Sequence, residues 1–250
     1  MKLARLGDGA EIFYTLQGEG VSMGTPAVFV RLSLCNLHCV WCDTDHTWNF
    51  VGTPWKHEKD VIQGYTKHRK EDVIIDMSPN EVAEVVKSFG CRRVVLTGGE
   101  PLLQETDLLE LMTALRGDGE EWFFEMETNG TILPGAKFLG AIDQLNVSPK
   151  LANSGMDEKL RLKPTVLAGL AATGKAWFKF VVRDEKDISE IRELLERVGI
   201  PGNRVILMPE GRTVEALDKN ATWLAILCQD LGFRFSDRLH VRLWGDRRGV

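Results

Sequence analysis

Short apolar runs recur along the chain, and most of them are followed by a segment with helical spacing. The apolar runs cover residues 27–32, 93–97, 122–127, 144–147, 177–182, 204–208 and 239–243. Their nearly continuous apolar character is typical of parallel strands that are covered on both faces. Apolar residues at intervals of three and four predict helices over residues 82–89, 108–115, 188–198 and 223–231. The pattern therefore predicts an α/β fold.

The ends of two predicted helices are marked by residues that favour helix starts and stops. Ser78-Pro79-Asn80-Glu81 combines a capping box with proline at the first helical position. Gly90 and Gly199 directly follow the last helical positions and predict where those helices end. Because strands and helices alternate, we expect a parallel sheet or partial barrel, with its functional site at the C-terminal ends of the strands.

Two segments depart from this alternation. Residues 1–26 include a weakly alternating run, Glu11 to Leu16, which predicts a short strand or hairpin. Residues 45–77 are polar and irregular, and their charged run 67–72 is typical of a solvated loop or helix face. We expect one domain over residues 1–250, with an N-terminal hairpin in 1–26 and an irregular insertion at 45–77.

The composition excludes several classes of protein. The chain has 250 residues, of which 44% are hydrophobic and 27% charged, as in ordinary globular proteins. A net charge of −5 gives no general attraction to nucleic acid or anionic membranes. No apolar run approaches the roughly 18 residues of a membrane-spanning helix, and the start lacks the apolar core of a secretory signal. We expect a cytoplasmic protein with reduced thiols.

Three of the five cysteines lie within eight residues, directly after the first predicted strand. Cysteines as close as Cys35, Cys39 and Cys42 are poor disulfide partners for one another but can surround a metal centre. Three thiolates on a 4Fe–4S cluster would leave one iron open to a small molecule. The spacing alone also permits a zinc site completed by His38 or His46, or plain buried cysteines. The remaining cysteines, at positions 91 and 228, are predicted to be core residues.

The surrounding residues make the cluster interpretation more specific. The C-x3-C-x2-C spacing, with Trp41 before the last cysteine, resembles the signature of the radical S-adenosylmethionine (SAM) superfamily. Thr97-Gly98-Gly99-Glu100-Pro101, at the end of the second predicted strand, resembles the glycine-rich motif of that superfamily, which contacts the methionine amino group. Glycines let a backbone approach a ligand closely, and Glu100 could accept hydrogen bonds from an ammonium group.

Five further motifs narrow the resemblance to one family. They are Tyr14-Thr15-Leu16-Gln17-Gly18-Glu19-Gly20, Pro26-Ala27-Val28-Phe29-Val30-Arg31, Cys39-Val40-Trp41-Cys42-Asp43-Thr44, Glu127-Thr128-Asn129-Gly130 and Val147-Ser148-Pro149-Lys150. In this order they resemble the 7-carboxy-7-deazaguanine synthase family. The resemblance runs from about Glu11 to the C-terminus and is weakest over residues 45–77 and 151–175.

The resemblance implies a fold and an activity. The fold would be a modified partial (β/α)6-type barrel with parallel strands, an N-terminal hairpin, and a C-terminal strand and tail, working as a homodimer. The activity would be that of a carbon–nitrogen lyase that converts 6-carboxy-5,6,7,8-tetrahydropterin to 7-carboxy-7-deazaguanine with loss of ammonia. The product would enter the synthesis of queuosine and other 7-deazapurines. Flavodoxin or ferredoxin would supply the electron, and SAM would be regenerated.

The resemblance also implies a role for individual residues. The cluster ligands would be Cys35, Cys39 and Cys42, and Thr44 would bind Mg²⁺. The SAM contacts would be Trp41, Cys42, Asp43, Gly99, Glu100, Ser148, Pro149, Lys150, Met208 and Pro209. The substrate contacts would be Leu16, Gln17, Gly18, Arg31, Thr97 and the terminal carboxylate of Val250.

Simpler interpretations remain open at this stage. Arg31 could form an internal ion pair, Thr44 a local turn bond, and Ser148-Pro149-Lys150 a plain turn. The whole chain could instead be a radical enzyme that activates a glycyl-radical partner, or a zinc-binding or redox-sensing module without catalysis. A guanidinium fork does, however, suit a carboxylated substrate.

Overall fold

The computed structural model describes residues 1–117 and 119–250. Its strands are β1 Lys2–Leu6, β2 Gly9–Ala10, β3 Ile12–Leu16, β4 Pro26–Leu32, β5 Ile74–Asp76, β6 Arg93–Gly98, β7 Phe123–Thr128, β8 Gln144–Val147, β9 Ala176–Val182, β10 Val205–Pro209 and β11 Arg234–Phe235. Its helices are α1 Lys70–Val73, α2 Pro79–Ser88, α3 Glu105–Arg116, α4 Ala136–Ala141, α5 Glu158–Arg161, α6 Pro164–Ala172, α7 Lys186–Val198, α8 Val214–Leu231 and α9 Leu239–Trp244.

The strands form one open, mostly parallel sheet. Its order is β11-β10-β9-β8-β7-β6-β4-β1-β2, and neighbours from β4 to β11 run parallel. The antiparallel strands gather at the other end, where β3 pairs with β4, and β5 pairs with β1. Strands β4 and β6–β10 thus give the predicted partial barrel, which does not close.

Alternation along the parallel strands separates the core from the site. Side chains at every second position face the helices, and they form the main core together with α2, α3, α6 and α7. Those core positions include Val28, Val30, Leu32, Val94, Leu96, Phe124, Met126, Phe178, Phe180 and Val182. The intervening positions face the concave side, where Ala27, Phe29 and Val95 form a small second cluster against Phe13. Polar residues at these concave positions are therefore directed away from the core.

The helix boundaries confirm the predicted start and stop signals. Ser78 Oγ accepts a hydrogen bond from the Glu81 backbone N–H at 3.3 Å, and Glu81 Oε2 accepts one from the Ser78 N–H at 2.7 Å. This capping box opens α2. Gly199 closes α7 with a φ of +77°, a conformation that costs glycine little. No helix of the described residues is long and apolar enough to cross a membrane.

The predicted strand over residues 239–243 is wrong, because this segment is helix α9. Alternating apolar residues suggested a strand, but Leu243 is exposed and only Val241 of the segment is buried. Polar contacts favour the helical turn instead. Arg242 binds Asp237 on one side and Asp218 of α8 at 2.8 Å on the other. The last strand of the sheet is the two-residue β11.

The N-terminal segment and the insertion are more regular than predicted. Strands β1 and β2 form the hairpin, and β3 adds a third strand within the first 26 residues. Residues 45–73 contain short 3-10 turns and α1, after which β5 joins the sheet beside β1. The insertion is held close to the cysteine loop, because buried Asp45 accepts hydrogen bonds from Lys59 at 2.6 Å, Tyr65 at 2.6 Å and His68 at 2.9 Å.

Candidate active site

A cavity of about 250 Å³ opens on the concave side of the sheet. Strands β4, β6, β7, β8, β9 and β10 each contribute a polar side chain or a methionine to its wall from a concave position. These side chains are Arg31 of β4, Thr97 of β6, Glu127 of β7, Asn146 of β8, Lys179 of β9 and Met208 of β10. The strand ends therefore converge as the sequence predicted, and the cysteine loop after β4 and the C-terminal residues 245–250 complete the wall.

The three clustered cysteines all face this cavity, and all three are free thiols. Leu34, just before the loop, has a φ of +74°, which is unusual for a side-chain-bearing residue and marks local strain. Its backbone is fixed by hydrogen bonds to Thr47 O at 3.0 Å and from Glu100 N at 2.9 Å. Within the loop, the Leu37 N–H donates to Cys35 Sγ at 3.4 Å. The strained turn at Leu34 is thus held in place where the chain enters the cysteine loop on the cavity wall.

The chemistry of these thiols fits an iron–sulfur cluster. Burial raises the pKa of each, to about 12 for Cys39, so without a metal they are held as neutral thiols. A metal centre would displace the protons. Among the described residues, no three His, Cys, Asp or Glu side chains converge on the position of a single ion. A cluster requires no such convergence, because each thiolate binds a different iron.

Gly98 and Gly99 allow the end of β6 to touch the start of the cysteine loop. A Cβ at Gly98, whose φ is +122°, would lie 2.0 Å from Leu32 O. A Cβ at Gly99 would lie 1.9 Å from Leu34 O and 3.0 Å from Cys35 N. All three contacted atoms belong to the backbone and cannot rotate away. The Gly-Gly pair is therefore required by packing against the loop, and it leaves Gly99 on the cavity wall.

Glu100 lies behind the wall instead of on it. Its carboxylate is fully buried, and it accepts hydrogen bonds from the Asn129 N–H at 2.8 Å, the Leu102 N–H at 3.1 Å and Thr128 Oγ1 at 2.9 Å. Burial raises its pKa above the ordinary value, although these donors oppose the rise. In this arrangement Glu100 ties the end of β6 to the end of β7.

A group of mostly buried charges, the Glu19 cluster, lies along one side of the cavity. It consists of Glu19, Asp43, Lys179 and Arg238, with His240 beside it. Arg238 Nε donates to Glu19 at 2.8 Å, its Nη1 donates to Gly211 O at 2.7 Å, and its Nη2 binds Asp43. Lys179 also binds Glu19. Burial would raise the pKa of Glu19, but Lys179 and Arg238 lower it well below its ordinary value, so the carboxylate is ionised.

Most residues predicted to form the site do line the cavity. They are Leu16, Gln17, Gly18, Arg31, Cys35, Cys39, Trp41, Cys42, Asp43, Thr44, Thr97, Gly99, Ser148, Lys150, Met208 and Val250. Three predicted residues do not line it, namely Glu100, Pro149 and Pro209. His38 instead stacks on Trp55 with ring centroids 3.9 Å apart, and His46 Nε2 lies 3.4 Å from Glu11.

Several wall residues were not predicted from the sequence. Glu11, Glu19, Glu127, Lys179, Arg238 and His240 all line the cavity. The signal for two of them was a charge inside a largely apolar strand, as with Glu127 in β7 and Lys179 in β9. Such charges are rarely buried without a partner or a function. Arg238 and His240 gave no such signal, because Arg238 lies outside the predicted strand 239–243 and polar residues alternate with apolar ones within it.

Comparison with known proteins decides among the open interpretations. Residues 30–224 match the family model described as "Radical SAM superfamily". A 7-carboxy-7-deazaguanine synthase from Pyrobaculum aerophilum is 36% identical, over 96% of this chain and 95% of its own length. The chain belongs to the 7-carboxy-7-deazaguanine synthase family. A second member, from Halobacterium salinarum, is 37% identical over 94% of this chain and 90% of its own.

A solved structure supports the same family. The crystal structure of QueE from Escherichia coli superposes with a TM-score of 0.65 at 29% identity, covering 96% of this chain and 95% of that one. The predicted fold class and enzyme class are thus confirmed. Membership in the radical SAM superfamily implies a 4Fe–4S cluster and SAM as cofactors, and the alternatives of a zinc module or a glycyl-radical activating enzyme are disfavoured.

Proposed function

We propose that this protein converts 6-carboxy-5,6,7,8-tetrahydropterin to 7-carboxy-7-deazaguanine with release of ammonia, as a step toward queuosine or another 7-deazapurine. The observation that best supports this proposal is that the three-cysteine loop and the Arg31 guanidinium face one cavity. If the cysteines hold the cluster and Arg31 binds the substrate carboxylate, the radical source and the carboxylate receptor would share this cavity. A radical enzyme that acts on a substrate without a carboxylate would not need the Arg31 guanidinium at this position.

The cysteine loop and its surroundings would hold the two cofactors. Cys35, Cys39 and Cys42 would bind the cluster, which when bound supplies the electron that cleaves SAM to methionine and a 5′-deoxyadenosyl radical. Trp41, Asp43, Gly99, Ser148, Lys150 and Met208 line the adjoining wall and would contact SAM. The Lys150 ammonium lies 5.7 Å from the Trp41 ring centroid and donates to Ser148 Oγ at 3.0 Å. It would pair with the SAM carboxylate.

The opposite side of the cavity would hold the pterin. Arg31 would bind its carboxylate, since a guanidinium group can donate two parallel hydrogen bonds to a carboxylate. Gln17 is fixed by donating to Glu125 at 2.7 Å, and Thr97 by donating to Glu127 at 2.7 Å. Together with Leu16 and Gly18 they would present the polar edge that orients the ring for hydrogen removal at C6. The Val250 carboxylate would complete that edge.

Thr44 is the proposed protein ligand of Mg²⁺. It lies on the cavity wall directly after the cysteine loop, and its Oγ1 is 3.5 Å from Cys42 Sγ. A hydroxyl oxygen together with substrate and water oxygens makes a suitable shell for a hard cation. Mg²⁺ there would neutralise charge on the substrate during ring contraction. We further propose flavodoxin or ferredoxin as electron donor, a homodimer as the working form, and a cytoplasmic location.

The experiment that tests the function is anaerobic reconstitution followed by a product assay. The wild-type chain should bind iron and sulfide, and with reductant, SAM, Mg²⁺ and the carboxypterin it should release 7-carboxy-7-deazaguanine, detected by mass spectrometry. Cys39→Ser should lose iron and product. Cys91→Ser is the matched control, since Cys91 lies off the cavity wall. Zinc without iron, or SAM cleavage by the reconstituted enzyme without deazaguanine product, would overturn the proposal.

A further inference from the structure

Glu11 is a buried carboxylate on the cavity wall to which the sequence assigned no role. It immediately precedes β3, and its side chain is 1% exposed. Oε1 accepts a hydrogen bond from Arg31 Nε at 2.9 Å, and Oε2 binds Arg248 Nη2. His46 Nε2 lies 3.4 Å from Oε2 without good hydrogen-bond geometry. One anion is thus shared by three cationic or potentially cationic side chains.

The surrounding charges keep Glu11 ionised despite its burial. Desolvation alone would raise its pKa, but His46, Arg31 and Arg248 together lower it far below the ordinary value. A buried carboxylate of this kind is stable only while its partners remain. The converse also holds, because neutralising Glu11 would deprive both Arg31 and Arg248 of the carboxylate that they share.

On one side, Glu11 fixes the orientation of Arg31. The two residues are also joined through their backbones, since the Arg31 N–H donates to Glu11 O at 3.1 Å. The guanidinium carbon lies 5.9 Å from the Phe13 ring centroid, and Phe13 in turn stacks on Phe29 at 5.3 Å. Glu11 engages Arg31 through Nε, and among the described residues neither terminal nitrogen of Arg31 has a hydrogen bond to a side chain. A guanidinium held in this way is preorganised for a carboxylate.

On the other side, Glu11 holds the C-terminal segment, residues 245–250, which forms part of the cavity wall. Arg248 binds Glu11 and also donates to Arg5 O at 2.8 Å. A second ion pair, Arg212 to Asp246 at 2.6 Å, fastens the start of the segment, but half of the Asp246 side chain is exposed. Of these two ion pairs, the one with Glu11 has a buried carboxylate, since Glu11 is 1% exposed.

We propose that Glu11 is a positioning residue that sets two parts of the substrate pocket at once: the Arg31 fork and the C-terminal segment. It does not contact the reacting atoms. The inference rests on the proposed function in so far as Arg31 receives the substrate carboxylate. Its consequence is that recognition of the carboxylate and closure of the C-terminal segment depend on the same buried charge, so one substitution should impair both.

The test uses Glu11→Gln, which keeps the shape and removes the charge, in the full-length reconstituted enzyme. The KM for the carboxypterin should rise about 10- to 100-fold, the factor expected for one charge-assisted contact. The kcat and the substrate-independent cleavage of SAM should change less than about threefold, because the cluster and SAM side is untouched. Glu11→Asp should recover part of the KM, and Glu158→Gln, at an exposed ion pair with Arg197, should match the wild type.

A second measurement does not depend on activity. Carboxypeptidase should release Val250 about 10-fold faster from Glu11→Gln and from Arg248→Gln than from wild type, because opening of the segment no longer breaks a charge-assisted bond. Wild-type KM and wild-type valine release in Glu11→Gln would overturn the inference. Equal losses in KM, kcat and SAM cleavage would also overturn it, since they indicate general unfolding. If Glu11→Gln does not fold, the rate of valine release from Arg248→Gln tests the inference instead, and a wild-type rate would overturn it. Failure of the wild type to form product would count against the proposed function alone.

Discussion

The close contact between Gly99 and the cysteine loop makes Gly99→Ala a severe test of the site. The added Cβ would lie 1.9 Å from Leu34 O and 3.0 Å from Cys35 N, whereas real Cβ atoms essentially never come within 3.0 Å of another heavy atom. The first contact is too close by roughly 1 Å, and both sides are backbone held by hydrogen bonds. The loop must move, and Leu34 already has a strained φ of +74°.

We expect Gly99→Ala to destabilise the fold by about 3 kcal/mol, at the upper end of overpacking substitutions, and to lower the iron bound per chain after reconstitution. Urea denaturation and iron analysis measure the two effects. Gly140→Ala is the matched control, because nothing lies within 4 Å of its Cβ position in helix α4. It should bind iron normally and gain about 0.5–1 kcal/mol. Wild-type stability and full iron content in Gly99→Ala would refute the packing account.

Three further perturbations test other parts of the account. Ser78→Ala removes the cap of α2 and should cost about 1 kcal/mol in urea denaturation, whereas an unchanged midpoint would mean that the cap is not needed. Arg238 outweighs burial and lowers the pKa of Asp43 from 3.8 to about 2, so the stability from this pair should be complete above pH 3.8 and lost as the pH falls toward 2. Denaturation at several pH values should show this fall, and Arg238→Gln should make it shallower, because other buried carboxylates such as Glu11 keep their own contribution. Thr44→Ala should raise the Mg²⁺ needed for half-maximal product formation by about 10-fold without changing SAM cleavage, and an unaltered requirement would exclude Thr44 as the ligand.

Local signals in the sequence were sufficient for most of the fold. The apolar runs became β4, β6, β7, β8, β9 and β10, because strands buried on both faces need apolar residues throughout. The capping box at Ser78 and the glycine at position 199 set helix ends by contacts within a few residues. The prediction for residues 239–243 was wrong because their alternating pattern fits a strand. The helical turn is instead favoured by the ion pair of Arg242 with Asp218, which lies in a different helix.

The site was predictable where its residues belong to compact motifs. The cysteine loop and the Gly-Gly turn could be located from the sequence because each is continuous, and the structure brings them together at the strand ends. Glu19 and Glu11 could not be found in this way. Their partners Arg238 and Arg248 lie more than two hundred residues further along the chain, so only the fold reveals the pairings.

Isotope transfer is the most direct test of the central claim, which is that this cavity generates a radical from SAM and applies it to the pterin. The reconstituted enzyme should be given SAM and carboxypterin that is deuterated at C6, and both the product and the recovered SAM should be analysed by mass spectrometry. The account predicts that deuterium from C6 enters the 5′ position of SAM while 7-carboxy-7-deazaguanine forms. Product formation with no deuterium in SAM or 5′-deoxyadenosine would contradict it.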